Sequence, residues 1–399
     1  MKLSEELVWR GFVAEHTLED VADLDKAPCK FYFGVDPSAP SMTIGNLAAL
    51  MMCKVFMRHG YPAVLLAGGA TGQIGDPKEN GERDLKPLAE VEANVRGLEA
   101  QFRQIVGEDF ELVNNNDWFV DIRLMPFLRE IFKQFSMTQL LDRKFVQDRI
   151  GEGGSGISLA EFCYTTIQGY DFLHLYREKG VSLQLCGADQ FGNCVSGVHL
   201  VQRLAGAKVD VWSCPLIVDK VSGKKFGKSE GNAVWLDGSM TSVFDFYQFW
   251  LNQPDEAVED YLKFYSLIQP EELVELMKRH RENLGERLAQ RRLADEVTKI
   301  VHGAKKADGV ARATGILFGG GQLSEADFEV LAEFVPAVDR GMTVVEALVA
   351  AGLAGSKAAA RQLIGSGAIV VNEEKITKDM EVTQCAVIRR GKNKFILVR

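Results

Sequence analysis

Lys30-Phe31-Tyr32-Phe33-Gly34-Val35 is an apolar run of strand length, and Asp36-Pro37-Ser38-Ala39-Pro40-Ser41-Met42-Thr43-Ile44-Gly45-Asn46 leads from it into a helical apolar period over 47–58. Together they read as a buried strand, a turn rich in hydroxyls, and a helix. Working outward, strand-like runs at 62–67, 110–113, 181–186 and 212–218 alternate with helical periods at 159–176 and 189–204. Alternation of this kind predicts an α/β fold, a parallel sheet wrapped by helices whose ligands sit at the carboxyl ends of the strands. Residues that carry chemistry are then expected in the turns after these strands.

Lys225-Phe226-Gly227-Lys228-Ser229 follows the last of the apolar stretches and is flanked by glycine. Two ammonium groups three residues apart can neutralise a polyphosphate, and the glycine between them lets backbone come close to it. Taken alone, such a turn is more often only solvated. Its weight comes from the hydroxyl-rich run at 36–46, which offers a second anion-facing turn.

A chain of 399 residues exceeds one ordinary hydrophobic core and implies two or three domains. From 243 to 318 the period is almost wholly helical, and Gly319-Gly320-Gly321 opens a linker. The tail reads as a small α+β unit, with helices at 343–353 and 356–366, a strand at 368–372 and a basic hairpin at 387–398. Net charge is −9, yet residues 341–399 hold nine Lys/Arg against five Asp/Glu. A basic module on an acidic body predicts a directed nucleic-acid contact that weakens with salt, and excludes a chain that coats nucleic acid throughout. Lys357, Arg361, Arg389, Arg390, Lys392 and Lys394 are its candidate contacts. Seven dispersed cysteines and six scattered histidines offer no zinc pattern and point to reduced thiols in a cytoplasm. The N-terminus shows no apolar signal core, and no apolar run is long enough for a bilayer, so no membrane is expected.

The sequence resembles the bacterial tyrosyl-tRNA synthetases over nearly its whole length. Residues 225–229 are similar to the family's Lys-Met-Ser-Lys-Ser loop, and 36–46 stand where it has a His-Ile-Gly-His signature. Three further runs match in order and spacing: Gly68-Gly69-Ala70-Thr71-Gly72-Gln73-Ile74-Gly75-Asp76-Pro77, Tyr164-Thr165-Thr166-Ile167-Gln168-Gly169-Tyr170-Asp171 and Gly187-Ala188-Asp189-Gln190-Phe191-Gly192-Asn193. The resemblance implies a Rossmann-like catalytic domain at 1–220, the loop with an α-helical domain at 221–320, a linker at 321–340 and an S4-like RNA-binding domain at 341–399. It implies a homodimeric ligase that activates L-tyrosine with ATP and passes the tyrosyl group to the 3′ end of tRNA(Tyr). Magnesium would arrive on the nucleotide, with no dedicated metal site.

The same resemblance assigns residues. Lys225, Lys228, Ser229, Thr43, Asn46 and Ser38 would serve catalysis. Tyr32 and Asp171 would read the substrate hydroxyl as donor and acceptor, because a buried hydroxyl left unpaired costs about 1–3 kcal/mol. Tyr164, Gln168, Asp76 and Gln184 would hold its amino group. Asp36, Gly45, Gly187, Asp189, Gln190 and Lys228 would meet ATP. Asn115 and Trp118 are expected to position other side chains, and Arg83, in the polar loop at 78–84, resembles a phosphate-side residue.

One departure bears on the chemistry. The signature reads Thr43-Ile44-Gly45-Asn46, so both histidines are absent, a form similar to that of the tryptophanyl sister enzymes. Thr43, Asn46 and Ser38 can donate hydrogen bonds where helical N–H groups already attract anions, but with less strength than a charged imidazole. More phosphate charge then falls to Lys225 and Lys228. A tryptophan-specific enzyme is the runner-up, opposed by Tyr32, Asp171 and the tail. A non-catalytic RNA-binding protein is a further alternative, opposed by Lys225, Lys228 and Asp171.

Overall fold

The computed structural model describes residues 1–77, 85–141, 144–151, 153–220, 223, 226, 233–321 and 323–399. Contacts divide the chain into two units, residues 1–236 with 259–273, and residues 237–258 with 274–399.

The first unit is built on parallel strands β1 Phe31–Val35, β2 Ala63–Ala67, β3 Glu111–Asn114, β4 Leu183–Gly187 and β5 Asp210–Cys214, in the order β3-β2-β1-β4-β5. Their near-continuous apolar sequences fit strands covered on both faces, and every residue of β2 is buried. The order reverses between β1 and β4, which opens a crevice at their carboxyl ends. Tyr32 is the second residue of β1, and it lies in register with Val64 on one side and Gln184 on the other. Because neighbours in register point to the same face, Tyr32 and Gln184 project together.

Helices of this unit are α1 Leu3–Arg10, α2 Ile44–Arg58, α3 Thr71–Ile74, α4 Leu88–Val106, α5 Asn116–Phe119, α6 Leu124–Glu130, α7 Met137–Leu141, α8 Lys144–Ile150, α9 Leu159–Lys179 and α10 Phe191–Ala205. The sequence pattern anticipated α2, α9 and α10. It passed over α4, although Val91, Val95, Leu98, Phe102 and Ile105 are buried at helical spacing. Helix α9 begins where Ser158 accepts from the Glu161 N–H and ends at Gly180, whose φ of 68° terminates it in the left-handed region. That helix brings Tyr164, Gln168 and Asp171 beside the sheet, and Phe172 packs edge-on against Tyr32 with ring centroids 5.2 Å apart.

The helices that follow are α11 Val243–Leu251, α12 Asp255–Tyr265, α13 Pro270–Glu282, α14 Leu288–His302 and α15 Ala304–Phe318. Residues 259–273, expected in the helical domain, belong to the first unit, where buried Arg10 donates to the carbonyls of Lys263, Ser266 and Ile268. These are carbonyls at and just beyond the end of α12, where a cation is favoured.

The segment expected as a linker at 321–340 is folded instead. It holds α16 Glu325–Ala332, started by a Ser324–Asp327 capping box and anchored by buried Phe328 and Leu331, and β6 Ala337–Val338. After it come β7 Met342–Thr343, α17 Val344–Ala350, α18 Lys357–Gly365, β8 Ile369–Val371, β9 Glu374–Ile376, β10 Glu381–Val382, β11 Ala386–Arg390 and β12 Lys394–Val398. Strand β6 pairs in parallel with β12, so the tail domain begins before residue 341. Within the second unit, Phe395 of β12 meets Phe244 of α11 and Phe318 of α15, with ring centroids at 5.8 Å and 5.5 Å.

Candidate active site

A cavity of about 440 Å³ opens at the carboxyl ends of β1 and β4. Its lining includes Tyr32, Asp36, Ser38, Thr43, Gly45, Asn46, Asp76, Tyr164, Gln168, Asp171, Gln184, Gly187, Asp189 and Gln190, so the first-unit candidates among the described residues share one site. Lys225, Lys228, Ser229 and Arg83 lie outside the described residues.

At one end, Asp171 is buried and held on both oxygens. Trp118 Nε1 donates to Oδ1 at 3.0 Å and Asn115 Nδ2 donates to Oδ2 at 3.1 Å. Burial still outweighs these donors and pushes the carboxyl up to about 8, with the Asp36 charge adding to the rise. The Asn115 amide is fixed in turn, since its Oδ1 accepts the Ala70 N–H at 2.7 Å. Burial also raises the Tyr32 phenol well above its ordinary range. Among the described residues, three buried polar atoms of this cavity have no protein partner: Tyr32 Oη, Gln168 Oε1 and Gln184 Oε1. Each would cost about 1–3 kcal/mol if left unmatched, so the cavity suits a ligand with its own hydroxyl and N–H donors.

Toward the turn after β1, Tyr164 Oη donates to Asp36 Oδ2 at 2.8 Å, and Thr71 Oγ1 donates to Asp36 Oδ1 at 2.7 Å. Asp76 accepts from Gln190 Nε2 at 2.8 Å and from Asn193 Nδ2 at 3.1 Å. Thr165 donates to Asn193 Oδ1 at 2.8 Å, which fixes that amide. In the sequence Asn193 carries no functional reading of its own, and Thr71 carries one only through the family resemblance. Nothing in their own types marks them, because each acts by orienting a neighbour.

The glycine-rich run at 68–77 has a steric explanation. A Cβ at Gly68 would strike both Asp36 Oδ1 and Thr71 Oγ1, and one at Gly72 would strike the Pro37 ring. These glycines let the turn after β2 close against the turn after β1.

At the start of α2, Thr43 differs from expectation. Its backbone N–H and its hydroxyl both point to Asn46 Oδ1, at 3.0 Å and 3.2 Å. The hydroxyl proton is spent on capping, so the Asn46 amide hydrogens are the side-chain donors this pair retains. Gly45, the second residue of α2, faces the Phe226 carbonyl so closely that any Cβ there would clash. Phe226 is buried, its N–H bonded to the Ile217 carbonyl at 3.2 Å and its ring 5.9 Å from that of Tyr261.

The tail candidates do not all stand open. Lys394 is paired with Asp245 at 2.8 Å, Lys357 with Glu346 at 3.1 Å, and Arg390 donates to the Leu353 carbonyl. The Lys357 contact holds the Glu346 carboxyl below its usual range. Arg361 and Lys392 are exposed, and Arg389 is half-buried on β11.

Comparison with known proteins accords with this geometry. The family described as tRNA synthetases class I (W and Y) matches residues 24–319, and the tyrosine–tRNA ligase SYY-like C-terminal domain matches 327–398. A tyrosine–tRNA ligase of Leuconostoc citreum is 41% identical over 420 aligned positions, covering 100% of this chain and 99% of its own. One from Bifidobacterium longum is 39% identical, covering 98% and 95%. Among solved structures, a C-terminally truncated mitochondrial tyrosyl-tRNA synthetase of Aspergillus nidulans aligns with a TM-score of 0.71 at 29% identity, over 79% of this chain and 94% of that one. The chain belongs to the class I tRNA synthetases of the tryptophan and tyrosine group, and within it to the tyrosine–tRNA ligase family. The tail match from 327 agrees with the early start that α16 and β6 give the C-terminal domain.

Proposed function

We infer that the chain is a ligase that activates L-tyrosine with ATP to tyrosyl-adenylate and transfers the tyrosyl group to the 3′ end of tRNA(Tyr). The observation that carries the choice of amino acid is Asp171, held by Asn115 and Trp118 in the same cavity as the unpartnered Tyr32 hydroxyl. A phenol satisfies both groups, donating to one and accepting from the other. An indole N–H can only donate and would leave Tyr32 without an acceptor, which disfavours tryptophan.

In this reading Gln168 and Gln184 use their amide oxygens toward the substrate ammonium group, with Tyr164 and Asp76 completing its surroundings. The substrate carboxylate is already a nucleophile, so adenylation is an in-line displacement at the α-phosphorus without a general base. Asp36, Gly45, Asn46, Ser38, Gly187, Asp189 and Gln190 line the remaining length of the cavity and are assigned to ATP, which brings its own Mg²⁺ as part of the substrate. Thr43 orders the start of α2. Lys225, Lys228 and Ser229 are assigned to the phosphates by their sequence match alone.

The tail's basic residues are assigned to tRNA, with Arg361, Arg389 and Lys392 available in the folded chain and Lys357, Arg390 and Lys394 available by exchanging present partners. A homodimer is part of this reading. Val120, Leu124, Met125 and Met137 are exposed apolar residues on and beside α5–α7, a surface that a second copy would cover. A cytoplasmic location is supported by all seven cysteines being free thiols. Pyrophosphate exchange with a panel of amino acids tests the assignment. Tyrosine alone is expected to support rapid exchange, and tryptophan-dependent exchange would overturn it.

A further inference from the structure

Asp171, at the phenol end of the cavity, and Asp36, after β1, are joined through Thr71. Thr71 is 3% exposed, and its single hydroxyl bridges the two halves. Oγ1 donates to Asp36 Oδ1 at 2.7 Å and accepts from Asn115 Nδ2 at 3.0 Å, while the same Nδ2 donates to Asp171 Oδ2 at 3.1 Å. The direction of each bond is forced. Asn115 Oδ1 is occupied by the Ala70 N–H, so its amide hydrogens face Thr71 and Asp171. Asp36 already takes the Tyr164 proton on Oδ2, which leaves Oδ1 as the acceptor for Thr71. A Cβ at Gly68 would intrude on both Asp36 Oδ1 and Thr71 Oγ1, so the missing side chain at 68 makes this contact possible.

We propose that Thr71 is a positioning residue that couples the two halves of the site, holding Asn115 in the plane that serves Asp171 and Asp36 in the rotamer that serves Tyr164. Thr71 itself lines the cavity, and in this reading it acts through the two carboxylates. The inference rests on the reading of the site as a tyrosine pocket. Valine keeps the branched shape of threonine while removing the bridge, and serine keeps the hydroxyl while removing the branch.

The test is pyrophosphate exchange with tyrosine and with phenylalanine on the full-length chain and its Thr71→Val, Thr71→Ser and Asn115→Ala variants, each normalised to the fraction that traps tyrosyl-adenylate. Thr71→Val should lower kcat/KM for tyrosine by about 10–100-fold, the loss expected when a bond to a charged group goes. Its tyrosine-to-phenylalanine ratio should also fall, because only tyrosine draws on Asp171. Thr71→Ser should recover most of both. Combined with Asn115→Ala, the valine change should add less than it does alone, since the two act on one chain of bonds. A valine variant with unchanged tyrosine kinetics and selectivity, a serine variant as poor as valine, or losses that simply multiply would each overturn the proposal. Failure of the unsubstituted chain to exchange with tyrosine would overturn the tyrosine assignment itself and the proposal with it.

Discussion

Gly45 and Phe226 meet with no side chain between them: the carbonyl of Phe226 occupies the space a Cβ at Gly45 would need. The start of α2 therefore meets Phe226, although 180 residues separate Gly45 from it. Gly45→Ala must displace Phe226, which lies in sequence between Lys225 and Lys228. Overpacking of this kind costs about 1–3 kcal/mol, so tyrosyl-adenylate formation should slow by about 10–100-fold. Equilibrium tyrosine binding should hardly change, because Tyr32 and Asp171 lie away from the clash. Rapid-quench measurement of adenylate formation checks this, and an unchanged rate would dissociate the contact from catalysis.

Asp171→Asn should lower tyrosine kcat/KM by about 10–100-fold and leave phenylalanine exchange little altered. The amide would turn N–H groups toward the donors of Asn115 or Trp118, both of which presently meet carboxylate oxygens. Competition between the two amino acids in pyrophosphate exchange measures the ratio. A ratio equal to that of the unsubstituted chain would remove Asp171 from substrate selection.

The Asp171 carboxyl rises from an ordinary 3.8 to about 8 in the folded chain, mainly through burial. A raised folded value means that the protonated form is favoured by folding. The contribution to stability is therefore complete below 3.8 and is lost as pH rises through about 8. Between about pH 4 and 8 the ligand-free protein should lose thermal stability more steeply than its Asp171→Asn variant. Tyrosine affinity should move the other way over the same range, because the substrate hydroxyl donates to the deprotonated carboxylate. Calorimetry at several pH values reads both, and parallel behaviour of the variant would assign the slope to other groups.

Removing residues 325–399 should spare tyrosyl-adenylate formation and abolish most tRNA charging, since every proposed adenylation residue lies before 230. Cutting at 341 should behave worse: either cut uncovers Phe244 and Phe318, but this one also leaves α16 and β6 behind without β12. Aggregation of the longer fragment, with a soluble shorter one, is the expected contrast on size-exclusion chromatography. In the intact protein, tRNA affinity should fall with salt while adenylation stays comparatively insensitive. A tail-less protein that charges tRNA at the full-length rate would show that the basic surface is only solvated.

Much of the sheet was legible in the sequence because β1, β2 and β4 are short apolar runs bounded by glycine and polar turns. The pocket was legible through the family resemblance, whose motif positions put Tyr164, Gln168 and Asp171 on a common helical face. What escaped notice is relational. Thr43 reads in sequence as a phosphate donor, yet its hydroxyl faces Asn46, and Lys394 reads as open, yet it pairs with Asp245. Glycines at 319–321 suggested a linker, yet the capping serine at 324 and apolar Phe328 and Leu331 immediately restart a helix. Helix α4 is less legible because charged and polar residues separate its apolar positions, whose helical spacing at Val91, Val95, Leu98, Phe102 and Ile105 is the one signal it gives.

The shared register of Tyr32 and Gln184 on neighbouring strands also limits how far this pocket can be re-tailored. Their separation is set by the hydrogen-bonded spacing of a sheet, about 4.8 Å, which backbone adjustment cannot widen without breaking the ladder. Room for a bulkier para substituent must come from shortening Tyr32 or Asp171. Shortening Asp171 strands the N–H groups of Asn115 and Trp118, so a new amino acid would have to bring acceptors for both. A nitro or carboxyl group could supply them, whereas an alkyl extension of equal size could not.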